Sequence, residues 1–183
     1  MSKILTQQYP NQDPMNALKE LQDLHQNDKK KRYPNVPDHC LPNSKFTDTT
    51  ANGLTKAIIT WLTLNGCWAT RINTTGRFLK GNTITDAVGR ARVMKGAWIP
   101  GTTRNGTADI HAIINGRHVS IEVKIGRDRM SPAQHKTQEA IEQCGGVYIV
   151  ARTFDEFLRW WNNFVLREKR DSQIMLNDKS KRL

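Results

Sequence analysis

Asp109, Glu122 and Lys124 stand in two short alternating runs, residues 107–114 and 118–125, separated by Asn115-Gly116. Asn-Gly is the preferred pair for a two-residue type I′ turn, so the runs predict a β-hairpin. With Asn115 and Gly116 in the turn, Ile114 faces Arg117, and the numbers of every facing pair add to 231. Asp109 then faces Glu122 on one side of the ribbon, with opposed Cβ atoms about 4.5–5.5 Å apart. Lys124, two residues beyond Glu122, lies on the same face and diagonal to Asp109. Val119, Ile121, Val123 and Ile125 turn to the other, apolar face. Opposed like charges destabilise a strand pair, so their presence points to use. A divalent cation bridging both carboxylates removes the repulsion. Mg²⁺ is typically held by one or two carboxylates, with water and substrate phosphate completing its octahedron. Such an ion stabilises charge on a phosphodiester under attack and acidifies bound water. Lys124 beside it would serve as electrostatic stabiliser or proton relay. The plain alternative is an Asp–Lys–Glu cluster on an exposed sheet face. A one-residue register slip would send the residues to opposite faces.

The elements that must position this cluster are readable on both sides of it. Leu54, Ile58, Ile59, Trp61 and Leu62 follow helical spacing up to Asn65-Gly66, a plausible left-handed cap. Cys67 to Asn73 reads as a strand. After the hairpin, Ser131 is a good N-cap and Pro132 suits the first position of a helix running to about Cys144. Val147 to Ala151 reads as a buried strand, and Thr153 caps a last helix carrying Phe154, Phe157, Leu158, Trp161 and Val165. The order helix, strand, hairpin, helix, strand, helix is a mixed α/β layer plan. Three parts are expected: an extension over 1–46, a compact domain over 47–166 and a charged, frayed tail over 167–183. Within the extension, residues 14–26 predict a short amphipathic helix with Leu18, Leu21 and Leu24 on one side. Lys29-Lys30-Lys31-Arg32 then reads as a solvated linker or a phosphate-contacting arm. His111 and His135 read as polar surface residues. Of Trp160 and Trp161, one is expected in the core and one facing a partner.

Charge narrows the partner. The 183 residues carry 28 Lys and Arg against 17 Asp and Glu, a net charge of +11, which suggests a polyanion. Residues 67–107 hold Arg71, Arg77, Lys80, Arg90, Arg92, Lys95 and Arg104 against Asp86 alone. That stretch reads as a long basic loop whose Phe78 and Trp98 accompany backbone-contacting cations. Arg71 and Asn73 are further candidates for orienting a phosphate. No run approaches the roughly 18–20 apolar residues of a membrane span, and the first residues lack the apolar region of a signal peptide. Three scattered cysteines, Cys40, Cys67 and Cys144, argue against a disulfide framework or zinc cluster, and a reducing cytoplasm, bacterial or phage-infected, fits best.

The motifs combine into a family likeness. Gly106-Thr107-Ala108-Asp109, then Ile121-Glu122-Val123-Lys124, then Gly126 through Ser131-Pro132-Ala133-Gln134, and Gly145-Gly146 before a strand, resemble the VRR-NUC branch of the PD-(D/E)XK nuclease superfamily. The likeness covers about residues 50–151. A bare D…ExK is a weak signal; the spaced S-x-x-Q helix start and the closing glycines make it specific. The resemblance implies a restriction-endonuclease-like core, a mixed central β-sheet flanked by helices, and Mg²⁺- or Mn²⁺-dependent phosphodiester hydrolysis. It makes Asp109 and Glu122 metal ligands with the Val123 carbonyl, Lys124 the catalytic lysine, and Gln134 a support for the site or the attacking water. Many relatives add a glutamate on the first core helix. Residues 51–66 contain no carboxylate; Asn52 or Lys56 stands in that region, and Asp48 and Asp86 are weak substitutes. The expected function is a metal-dependent DNA endonuclease, with branched DNA such as a Holliday junction among its substrates and homodimer formation expected from stand-alone relatives. The alternatives are a non-catalytic nucleic-acid-binding module on a degenerate nuclease fold, or a basic packaging protein, which needs no such carboxylate pair.

Overall fold

The structure, a computed structural model, describes residues 17–73, 76–85, 87–99 and 104–180; the side chains of residue 77 and of residues 169–180 lie outside the description. In chain order the elements are α1 (Ala17–Arg32), a 3-10 turn (Asp38–Cys40), α2 (Ala51–Leu64), β1 (Trp68–Arg71), β2 (Arg77–Leu79), β3 (Thr83–Thr85), β4 (Ala91–Val93), β5 (Ala97–Ile99), β6 (Ile110–Ile114), β7 (Arg117–Val123), α3 (Pro132–Gln143), β8 (Val147–Ala151) and α4 (Phe154–Ser180).

The central sheet has the order β1-β6-β7-β8. Its first two pairings are antiparallel and β7 runs parallel to β8, with α3 as the crossover. Asn115 and Gly116 both take left-handed backbone, φ +51° and +81°, as a type I′ turn requires. The hairpin register is the one the Asn-Gly turn sets, with Ile114 opposite Arg117 and Ile110 opposite Ile121. One sheet face, carrying Ile110, Ala112, Val119, Ile121 and Val123, enters a core closed by α1, α2 and α4. Trp61, Phe154 and Phe157 are its largest fully buried members. Helix α3, which buries none of its residues, lies over the opposite face.

Helix ends are fixed by named groups. The Thr50 hydroxyl accepts from Gly53 N–H at 3.1 Å and opens α2. Gly66, at φ +76°, ends it, with Cys67 N–H on the Leu62 carbonyl at 2.9 Å. At α4, the Thr153 hydroxyl accepts from Glu156 N–H at 3.1 Å, and Phe154 N–H donates to Asp48 Oδ2 at 3.0 Å.

Four expectations change. Residues 17–32 form a sixteen-residue helix whose Leu21 is fully buried in the common core; helical periodicity was visible there, but burial against α2 and α4 is a tertiary fact. Lys29 to Arg32 form the last turn of that helix, where cations complement the helix dipole, rather than a linker. The basic stretch after β1 is no irregular loop. Strands β2 and β5 pair, as do β3 and β4, both antiparallel, into a projecting ribbon. Its apolar residues are exposed on both faces, so it carries no burial periodicity to read. The last helix also continues through Ser180 where a frayed tail was expected. Among the described residues, no helix is long and apolar enough to cross a membrane.

Candidate active site

The β6–β7 ladder ends at the Ile110–Ile121 pair, so Asp109 and Glu122 stand at its mouth. Asp109 is held from two sides. Its Oδ2 accepts from Val123 N–H at 2.9 Å, and its carbonyl accepts from Ile72 N–H at 2.8 Å. Glu122 is 3 % exposed and Lys124 7 %. Lys124 Nζ sits 3.0 Å from Glu122 Oε1 and 3.4 Å from Asp128 Oδ2, and its backbone N–H donates to the Ala151 carbonyl.

Gln134 joins two tasks. Its Oε1 accepts from Ser131 N–H at 2.8 Å while its backbone N–H donates to the Ser131 hydroxyl, the reciprocal capping box that starts α3. Its Nε2 donates to Glu122 Oε1 at 2.5 Å. The bond that begins the helix therefore also aims the amide at the carboxylate.

Electrostatics follow from this packing. Burial, then the Asp109 charge, push Glu122 above the usual carboxylate range, against the pull of the Lys124 and Tyr148 hydrogen bonds. Burial lowers Lys124, but the hydrogen bond and charge of Glu122, with Asp128, outweigh it and hold the ammonium above its ordinary value. Burial, then the charges of Glu122 and Asp109, likewise raise the Tyr148 phenol.

The donor set suits one hard cation. Oxygen ligands from one or two carboxylates, completed by water, are what Mg²⁺ takes. Gln134 and Lys124 engage Oε1 of Glu122, leaving Oε2 with the long 3.5 Å contact from Tyr148. Asp109 engages only Oδ2 in the Val123 bond. One oxygen of each carboxylate is thus left outside these short contacts. Among the described residues no group of three or more His, Cys, Asp or Glu gathers.

The structure brings together Asp109, Glu122, Val123, Lys124 and Gln134. It does not bring Asp48, which caps α4 instead, or Lys56, whose ammonium lies 5.7 Å from the Phe46 ring centre; Asp86 lies outside the described residues. Arg71 faces Ile110 in the ladder, so the pleat sends it to the face away from Glu122, and Asn73 has the same parity. Lys80, Arg90, Arg92 and Lys95 are carried on the ribbon, as is the backbone of Arg77, whose side chain is not described. Arg104, with His118 and Lys136, lines a cavity of about 470 Å³ along α3 that neither carboxylate reaches. His135 is exposed. His111 is a half-buried residue rather than a surface one, its ring edge-on to His118 with centres 5.0 Å apart. Trp161 is in the core, and Trp160 stacks on Phe164 at 5.0 Å between centres.

Sequence reasoning missed three contributors. Tyr148 reaches Glu122 because β8 pairs Tyr148 with Ser120, a parallel register that no turn residue announces. Asp128 sits in the turn after β7. Arg152 holds that turn by donating to the Gly126 and Asp128 carbonyls at 3.2 and 3.1 Å. No known protein family matches the chain, and no curated protein matches it significantly.

Proposed function

We propose that this chain is a metal-dependent nuclease that hydrolyses phosphodiester bonds in DNA, branched DNA included. The observation that carries the reading is the burial of Glu122 with Lys124 beside a second, opposed carboxylate at the mouth of the hairpin. Burying charge is costly unless it is paired and hydrogen-bonded, and here every partner converges on one point. The likeness of these residues to the VRR-NUC branch, and of the four-stranded mixed sheet to a restriction-endonuclease-like core, supports it.

Asp109 and Glu122, with the Val123 carbonyl, would hold Mg²⁺ or Mn²⁺. When bound, the ion supplies Lewis-acid stabilisation of phosphate charge and acidifies water. The chain's own residues do the rest. Val123 N–H orients Asp109, and Gln134 Nε2 orients Glu122. Lys124, kept protonated by two carboxylates, offers a positive charge to the phosphate; in this state it is an electrostatic stabiliser rather than a base. A homodimer is part of the proposal, since small members of the VRR-NUC branch, which these residues resemble, pair.

A second reading, a nucleic-acid-binding module without catalysis, is favoured by one observation: α2 offers no carboxylate. Labelled linear, flapped and four-way DNA, incubated with Mg²⁺, Mn²⁺ or EDTA, separates the two. Metal-dependent cleavage lost in Asp109→Ala and Lys124→Ala is expected. Cleavage at the wild-type rate in either variant would sink the assigned site, and tight binding without cleavage in both metals would favour the module.

A further inference from the structure

The ribbon formed by β2–β5 and β3–β4 keeps one register from end to end. Facing residue numbers add to 176 in both ladders, and Met94 N–H on the Asn82 carbonyl, at 3.0 Å, carries the pairing across the join. Pleating therefore gathers Phe78, Lys80, Ile84, Arg92, Met94 and Trp98 on one face. Phe78 and Trp98 face each other directly and are 61 % and 62 % exposed. Each ring lies across a glycine of the opposite strand: a Cβ at Gly76 would stand 2.7 Å from Trp98 Cζ2, and one at Gly96 would collide with the Phe78 ring. The rings are thus laid along the backbone, with their outer π-faces in solvent.

Residues 77–99 carry five cations and one acid. That charge selects a polyanion, and open aromatic faces select bases not already stacked in a duplex. We propose that this face of the ribbon is a stacking platform for unpaired nucleotides, with Phe78 and Trp98 taking bases and Lys80 and Arg92 the flanking phosphates. One root of the ribbon adjoins the catalytic cluster. The chain leaves beyond Ile72, which is bonded to the Asp109 carbonyl. It returns through Gly106, too close to the Ala133 carbonyl to admit a Cβ. The proposal deepens the nucleic-acid part of the reading above and is independent of the metal chemistry.

The test uses the full chain in EDTA, with fluorescence anisotropy on labelled oligothymidine, oligouridine and blunt duplex DNA, each about 20 nucleotides long to exceed one ssDNA site. Wild type should bind at least one single strand about tenfold more tightly than duplex; which one separates DNA from RNA as the strand taken. Phe78→Ala/Trp98→Ala should lose roughly tenfold to a hundredfold on that strand, the usual effect of losing base stacking, with duplex affinity held within about twofold. Phe78→Tyr/Trp98→Tyr should bind like wild type, which shows that loss in the alanine pair is loss of ring faces and not of the ribbon. Unchanged single-strand binding in the alanine pair, or equal loss on single strand and duplex, overturns the proposal. So does a dimer seen by sedimentation that the alanine pair abolishes, because the face then belongs to a second copy. Cleavage surviving Asp109→Ala would sink the site assignment and leave this result standing.

Discussion

Gln134 ties stability to activity through one amide. Gln134→Ala removes the reciprocal half of the α3 cap, costing about 1 kcal/mol, and frees Glu122 Oε1 from its orienting donor. Loss of such an outer contact typically lowers activity or metal affinity about 10- to 100-fold. Thermal unfolding and the cleavage rate read the two effects separately; a full-rate variant would show that the amide does not orient the site. Asp109→Ala should keep or improve DNA binding in EDTA, since it removes a negative charge near phosphate; clearly weaker binding by the folded variant would contradict this. His111 gives a pH signature. Burial, then His118, lower its pKa from 6.5, so the unfolded chain takes up this proton at a higher pH than the folded one. Its contribution is therefore full above about pH 6.5 and drains as pH falls through the lowered value. His25 shifts in the same direction. The melting temperature should fall on acidification over that range, and His111→Phe should flatten the fall in part; an unchanged slope would remove His111 as its source. At this scale the trio Asp109, Glu122 and Lys124 was legible, because a two-residue turn and a period of two fix who faces whom. Tyr148, Asp128 and Arg152 were not, because their places depend on a parallel pairing and on a turn held by a distant guanidinium.

The elements show the same division. Helices α2 and α3 could be read to within a few residues because Thr50, Gly66, Ser131 and Gln134 act locally. The start of α4 could not be fully read: Asp48, 106 residues before Phe154, supplies one of its caps. An acid just before α2 invites a metal role, yet its oxygen is engaged by a helix N-terminus. Asp48→Ala should therefore destabilise the fold by about 1 kcal/mol, as loss of a capping acceptor does, while leaving metal-dependent cleavage per folded molecule unchanged. Urea unfolding with a matched activity assay checks both halves. A cleavage defect without a stability defect would return Asp48 to the site.

At the scale of the molecule, the +11 charge resolves into a division of labour: an acidic pair in the sheet and cations on the ribbon. Replacing Lys80, Arg90 and Arg92 with alanine should weaken binding to every nucleic acid tested. It should also flatten the dependence of log affinity on log salt by roughly 0.7 per lost phosphate contact on single strands. An unchanged slope would place the contact surface elsewhere. The ribbon escaped sequence reading because its strands are three residues long and face water on both sides, leaving no hydrophobic alternation. Its single register has a further consequence for how the protein can vary. From Arg77 to Thr85, eight steps at about 3.4 Å each, the ribbon reaches roughly 27 Å. Deleting Thr83-Ile84 together with the facing Arg92-Val93 would shorten it by two rungs and keep the order of its faces, whereas losing a single rung would turn every more distal side chain over. The arm is thus a ruler graduated in pairs of rungs, and its length can be retuned without touching the chemistry at its root.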